Sequence, residues 1–199
     1  MEDTFRTITK PSEGLFKDKG SRFISYAFPV NEEVEIREIV QSIKKEHHSA
    51  RHHCYAWRIG AEKLIFRVND DGEPSSTAGK PILGQIQSFD LTNILIVVVR
   101  YFGGTLLGVP GLINAYRNAA LDAINQAEII EKVVEKCLLI EFDYHVMNEV
   151  MKVFKEEKLP QIDPQFDLSC KVKTQIRLSE SDRIVKGLLK IDSVVIIAI

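Results

Sequence analysis

Asp70, Asp71, Glu73, Ser75, Ser76, Thr77, Gly79 and Lys80 crowd into eleven residues, and Arg100, Tyr101, Phe102, Gly103 and Gly104 follow as a second cluster. Ser75, Ser76, Thr77 and Gly79 stand where a helix is expected to begin. The first turn of a helix leaves backbone N–H groups unpaired and attracts anions. With charge from Lys80 and Arg100, these residues form a candidate anion or nucleic-acid site. The same hydroxyls could do no more than cap the helix. The spacing of a Walker A loop is absent. Asp70, Asp71 and Glu73 could hold a hard cation or act as an acid/base pair. A turn at Asn69 to Gly72 calls for those residue types in any case.

Arg100 beside Tyr101 and Phe102 is a stack-and-charge group of the kind that binds single-stranded nucleic acid. Aromatics at a strand end also serve as core. Gly103, Gly104, Gly108 and Gly111 could let a ligand backbone approach the main chain or supply positive φ for tight turns. Four histidines fall between positions 47 and 53, but neighbours on a strand face opposite ways, which argues against a converging metal site. Cys54 is expected to be a buried, inert strand residue. No nucleophile set has a recognisable spacing, so no catalytic residue, metal or cofactor is assigned.

Positioning these residues takes a strand and two helices. Ile94 to Val99 is an unbroken β-branched run, as expected of a strand covered on both faces, and it delivers Arg100 to a sheet end. Pro74 or Pro81 is expected to open a helix carrying Ile82, Leu83, Ile86 and Phe89, which brings Ser75–Gly79 alongside. A second helix runs from about Leu112 to Ala127. Upstream, Glu13 to Val30 reads as a hairpin, Asn31 as the cap of a helix carrying Ile36, Ile39, Val40 and Ile43, and 53–59 with 64–68 as paired strands. Gln126 to Lys132 reads as a linker. Beyond it, strand and helix patterns follow the order β-α-β-β-α-β of a split βαβ, ferredoxin-like sandwich, with Ser179 as the cap of its second helix. The expectation is an α+β protein of two domains, 1–128 and 133–199.

Bulk composition narrows the classes. The net charge is −2 over 199 residues, and the first 127 residues balance 15 basic against 15 acidic side chains. Charge alone therefore does not argue nucleic-acid binding. Cys54, Cys137 and Cys170 are odd in number and widely spaced, which fits reduced thiols. The N-terminus lacks an apolar signal region, and no apolar run approaches the ~20 residues of a membrane span. A soluble cytoplasmic protein is expected.

Asp71-Gly72-Glu73-Pro74-Ser75, Thr77-Ala78-Gly79-Lys80-Pro81-Ile82-Leu83 and Val98-Val99-Arg100-Tyr101-Phe102-Gly103-Gly104 together resemble the YigZ/Impact family. His53 to Gly60 and Leu107 to Tyr116 extend the resemblance, which covers residues 1–127 most strongly. It implies an N-terminal β-α sandwich like a ribosomal-protein domain and domain four of elongation factor G, and a C-terminal ferredoxin-like domain. Eukaryotic members are linked to translational control through a partner-binding RWD domain, for which this chain is expected to have no room. Three positions depart from the pattern: Ser76 for glycine, Val109-Pro110 for Thr-Gly, and Asn114 for arginine, with Arg117 one turn on as a substitute. The reading that follows is a non-enzymatic RNA- or ribosome-associated factor in translation regulation or stress response. A protein or enzyme binding a phosphate-containing small molecule at Ser75–Lys80 is the alternative, and a protein-interaction module with unknown partners a third.

Overall fold

The computed structural model describes residues 3–199, and it is a mixed protein of sheets and helices. Two compact units divide at Lys132/Val133: Phe5–Lys132, and Val133–Ile199 together with the described residues at the N-terminus.

The first unit begins with β1 (Thr4–Ile8) and a hairpin of β2 (Ser12–Asp18) and β3 (Ser21–Pro29), followed by α1 (Glu33–Glu46). Then come β4 (His52–Ile59), β5 (Ile65–Asn69), α2 (Gly79–Ser88), β6 (Ile94–Tyr101), α3 (Gly108–Asn125) and β7 (Ile129–Val133). Five strands form an antiparallel sheet in the order β2-β3-β6-β4-β5. Side chains alternate across it, so each strand feeds two cores. Ile94, Ile96 and Val98 pack with Ile82, Ile86, Ala119 and Ala120 of α2 and α3. Leu95, Val97 and Val99 pack with Ile36 and Ile43 of α1. The unbroken apolar run of β6 is thus covered on both faces, as its composition requires.

The second unit holds β8 (Glu135–Asp143), a 3-10 turn (Tyr144–Val146), α4 (Met147–Glu156), β9 (Ile162–Phe166), β10 (Ser169–Arg177), α5 (Leu178–Leu188) and β11 (Val195–Ala198). Its antiparallel sheet has the order β11-β8-β10-β9. Ile140, Phe142, Val172 and Ile176 point to one face, where Val150, Phe154, Ile184 and Leu188 of the helices close a single core.

Several local expectations are corrected. Asn31 does not cap α1: its Oδ1 accepts from Asn93 Nδ2 at 3.3 Å, and its N–H donates to Glu35. The supposed linker contains β7, which pairs with β1, because half-buried Ile129 packs against the core. Pro81, not Pro74, sits in the first turn of α2. Ser179 lies inside α5 rather than capping it, and its hydroxyl and N–H bond the Asp3 carboxylate. Among the described residues no helix is long and apolar enough to cross a membrane.

Candidate functional site

The turn between β5 and α2 is held by its own carboxylate. Asp70 Oδ1 accepts from the N–H groups of Ala78 (3.0 Å) and Gly79 (2.8 Å), and Oδ2 from that of Ser76 (2.8 Å). Three of the donors at and before the start of α2, where an external anion is expected, are therefore engaged from within the chain. Thr77 is buried, its hydroxyl donating to the Pro74 carbonyl at 2.6 Å. Gly79 packs so tightly on β5 that a Cβ would lie 2.8 Å from the Asn69 nitrogen. Ser75 and Lys80 remain exposed, and their side chains make no hydrogen bond or ion pair among the described residues.

The three acidic residues diverge. Asp71 ties the turn to α1 and β4, accepting from Lys44 Nζ at 2.8 Å and from the His53 N–H at 2.7 Å. Burial alone would raise its carboxyl, but those two donors outweigh burial and hold it below the usual range. Glu73 turns inward instead. Its Oε1 accepts from Arg100 Nη1 at 2.6 Å and from the Tyr116 hydroxyl at 2.8 Å. The Arg100 and Glu73 side chains are only 7% and 4% exposed. Among the described residues no group of three or more His, Cys, Asp or Glu is arranged to hold a metal ion.

Register explains what surrounds Arg100. Phe23 on β3 and His52 on β4 are its cross-strand partners, so all three project on the α2/α3 face. Cys54, two residues on, is buried there, with Sγ 3.0 Å from the Asp70 carbonyl and 3.3 Å from the Tyr116 hydroxyl. Burial pushes the Cys54 thiol and the Tyr116 hydroxyl well above their ordinary ranges, so neither is a ready nucleophile. Tyr101, one residue past Arg100, faces the other way. Its hydroxyl lies 2.8 Å from His47 Nδ1, and His47 Nε2 lies 2.8 Å from the Tyr26 hydroxyl. The Tyr101–Phe102 pair is thereby split, leaving Phe102 54% exposed with the Arg100 guanidinium 5.6 Å from its ring.

A pocket of about 460 Å³ opens over this end of β6, with Arg51, His52, Glu73 and Arg100 among its polar lining and Phe102, Leu107 and Leu112 among its apolar walls. The loop that closes it depends on glycine. Gly104 and Gly108 have φ of +91° and +71°, and a Cβ on Gly103 would fall 1.9 Å from the Gly20 carbonyl carbon. Of the residues singled out from sequence, Glu73, Arg100, Phe102 and Gly108 line the pocket, and Glu73 and Arg100 pair within it. Arg117 is exposed on α3 and does not line it. Arg51 and Leu107 are additions. His52 was singled out only as one of a histidine group, and its pairing with Arg100 depends on a register that the sequence does not display.

The family described as Impact N-terminal domain matches residues 19–124. Across 92% of this chain and 84% of the relative, there is 31% identity to the IMPACT family member YvyE of Bacillus subtilis. The IMPACT family member YigZ of Escherichia coli is 38% identical over 66% of each chain. The Protein IMPACT homolog of Saccharomyces cerevisiae is 31% identical over 60% of this chain, which spans 49% of that relative. A solved crystal structure of an hypothetical protein covers 100% of this chain and 98% of its own, with a TM-score of 0.74 and 28% identity.

Proposed function

The chain belongs to the Impact family, and on that premise we propose that it is a non-enzymatic, cytoplasmic RNA- or ribosome-associated factor acting in translation regulation. The observation that carries this reading is the end of β6. There an exposed aromatic ring, Phe102, sits beside the Arg100 guanidinium at a pocket mouth that also carries Arg51. Stacking surface next to fixed positive charge is what single-stranded nucleic acid requires. Lys80 and Arg117 are exposed and unpartnered among the described residues, and we assign them to backbone phosphates. Gly103 and Gly104 would let that backbone come close. The strand order β11-β8-β10-β9 supports a ferredoxin-like reading of the second unit, and the resemblance supports an elongation-factor-G-domain-four-like reading of the first. The rival anion site at Ser75–Lys80 is disfavoured because Asp70 already takes the N–H groups of Ser76, Ala78 and Gly79.

Filter binding of single-stranded RNA against salt tests the reading. Affinity is expected to fall steeply with salt. Lys80→Ala combined with Arg117→Ala should flatten the slope by about 0.7 per lost contact. Absence of binding at low salt would sink the proposal.

A further inference from the structure

The floor of the pocket at the end of β6 carries a specific hydrogen-bonding pattern. Among the described residues the Arg100 side chain makes one hydrogen bond, from Nη1 to Glu73 Oε1. Its Nε is fully enclosed without a partner, whereas Nη2 makes no hydrogen bond with a described residue and is not enclosed, so it is the donor a ligand can reach. Glu73 Oε1 already accepts twice, whereas Oε2 takes no hydrogen bond from a described residue and is not enclosed. His52 adds a second acceptor. Its Nδ1 lies 2.9 Å from the Asp71 carbonyl, which can only accept, so Nδ1 carries the proton and the neutral ring offers Nε2 as a lone pair. That Nε2 stands 4.0 Å from Glu73 Oε1, on the same side as the carboxylate. Two acceptors and one unengaged guanidinium face therefore meet between apolar walls. The volume of about 460 Å³ is in the range of small-ligand sites.

The complement is a flat ring bearing two neighbouring N–H donors and one carbonyl acceptor. Of the four RNA bases only guanine has that edge, in N1–H, N2–H and O6. Uracil places one donor between two acceptors, cytosine one donor beside two acceptors, and adenine one amino group beside one ring acceptor. We propose that the pocket takes an unpaired guanine base. Glu73 and His52 accept from its two donors, Arg100 donates to its oxygen, and Phe102 stacks on its face. The inference rests on the RNA reading above and narrows it: the guanine is delivered by single-stranded RNA, with exposed Arg51 at the mouth beside its phosphate.

The test is fluorescence anisotropy of the full chain with short labelled uridine tracts carrying one central guanosine, inosine, adenosine or uridine. Guanosine is expected to bind about tenfold tighter than uridine or adenosine. Inosine, which lacks only the N2 amino group, should lose about tenfold, because one buried acceptor goes unpaired. This substitution is made in the RNA, so folding of the protein does not enter. Phe102→Ala, at an exposed position, should narrow the guanosine-over-uridine ratio. Equal affinity for all four tracts overturns the guanine pocket and leaves the RNA reading standing. If no tract binds, the RNA reading fails, and guanosine monophosphate decides the pocket. A thermal shift with it and none with inosine monophosphate keeps the pocket as a free-nucleotide site; no shift overturns it as well.

Discussion

Lys171, Lys173 and Arg177 lie on one side of β10, and each is met by a carboxylate at the open surface of the four-stranded sheet: Glu141, Asp163 and Asp3. In the five-stranded sheet the pair Arg100–Glu73 is buried, and the arginine keeps a nitrogen with no partner. A basic row on a solvent-facing sheet is the feature a search for nucleic-acid binding would pick first. Here its charge is met locally, strand against strand, as in the register pair Lys171 and Glu141. The buried pair contributes nothing to such a search, yet it presents to a cavity hydrogen-bonding capacity that no described residue fills. Charge that is solvated and paired is cheap to keep; charge held in a dry site needs its partner, and retaining it has to be accounted for by something other than stability.

The largest expected effect follows from that difference. Arg100→Ala leaves the Glu73 carboxylate buried with only the Tyr116 hydroxyl, and should cost about 3–5 kcal/mol. Trp57, the only tryptophan, is buried in the first unit and gives a fluorescence signal confined to it. Denaturant unfolding read by Trp57 should show the loss. Arg100→Met with Glu73→Gln, which removes both charges and keeps an acceptor for Tyr116, should recover most of it. If the double variant is as unstable as the single one, the pair is a stability element after all and the contrast between the sheets collapses.

How much of this could be read in advance depended on how local each signal was. The strand Ile94–Val99, the hairpin before α1 and the strand-helix order of the second unit rest on neighbouring residues, and they were legible. The pairing of β1 with β7 was not: it joins segments more than a hundred residues apart, and Gln126 to Lys132 is polar enough to pass for a linker. The site divided in the same way. The turn at Asp70 to Lys80 was conspicuous, but its carboxylates could not be sorted. Asp70 finds the start of α2 only through the path of the loop, and Glu73 meets Arg100 only once β6 is in register with β4. Glycine, proline and acid in one run were the chemistry of a self-satisfied turn, with one member turned into the pocket.

Acidification should separate the units next. Burial is the main influence on His53, and it lowers the ring below its ordinary value despite Asp71 at 3.6 Å. That approach is therefore not a salt bridge near neutral pH. With the folded value depressed, the unfolded chain binds more protons, so stability is lost as pH falls from about 6.5 through the folded value. Asp71, also depressed, adds a further loss below the carboxylate range of about 4. In the second unit Asp3 is lowered to about 2, chiefly by its hydrogen bond with Arg177. Its contribution is lost only between about pH 4 and that value. Melting read by Trp57 should fall between about pH 7.5 and 5.5, while amide exchange in β8 and β10 holds steady. Parallel loss in both units would contradict the assignment to His53.

The smallest effect belongs to the surface row. Lys173 bonds Asp163 at 3.0 Å with both side chains substantially exposed, and such pairs contribute about 0–1 kcal/mol, less as salt rises. Lys173→Ala should shift the unfolding midpoint of the second unit barely above error, and the shift should vanish in high salt. Its effect on RNA is the sharper measurement. Because the lysine is already neutralised by its neighbour, RNA must displace Asp163 to use it, and the salt slope of RNA binding should be unchanged in the variant. A slope reduced by about 0.7 would show that the open sheet of the second unit engages phosphate, and the buried pair would no longer be the main site.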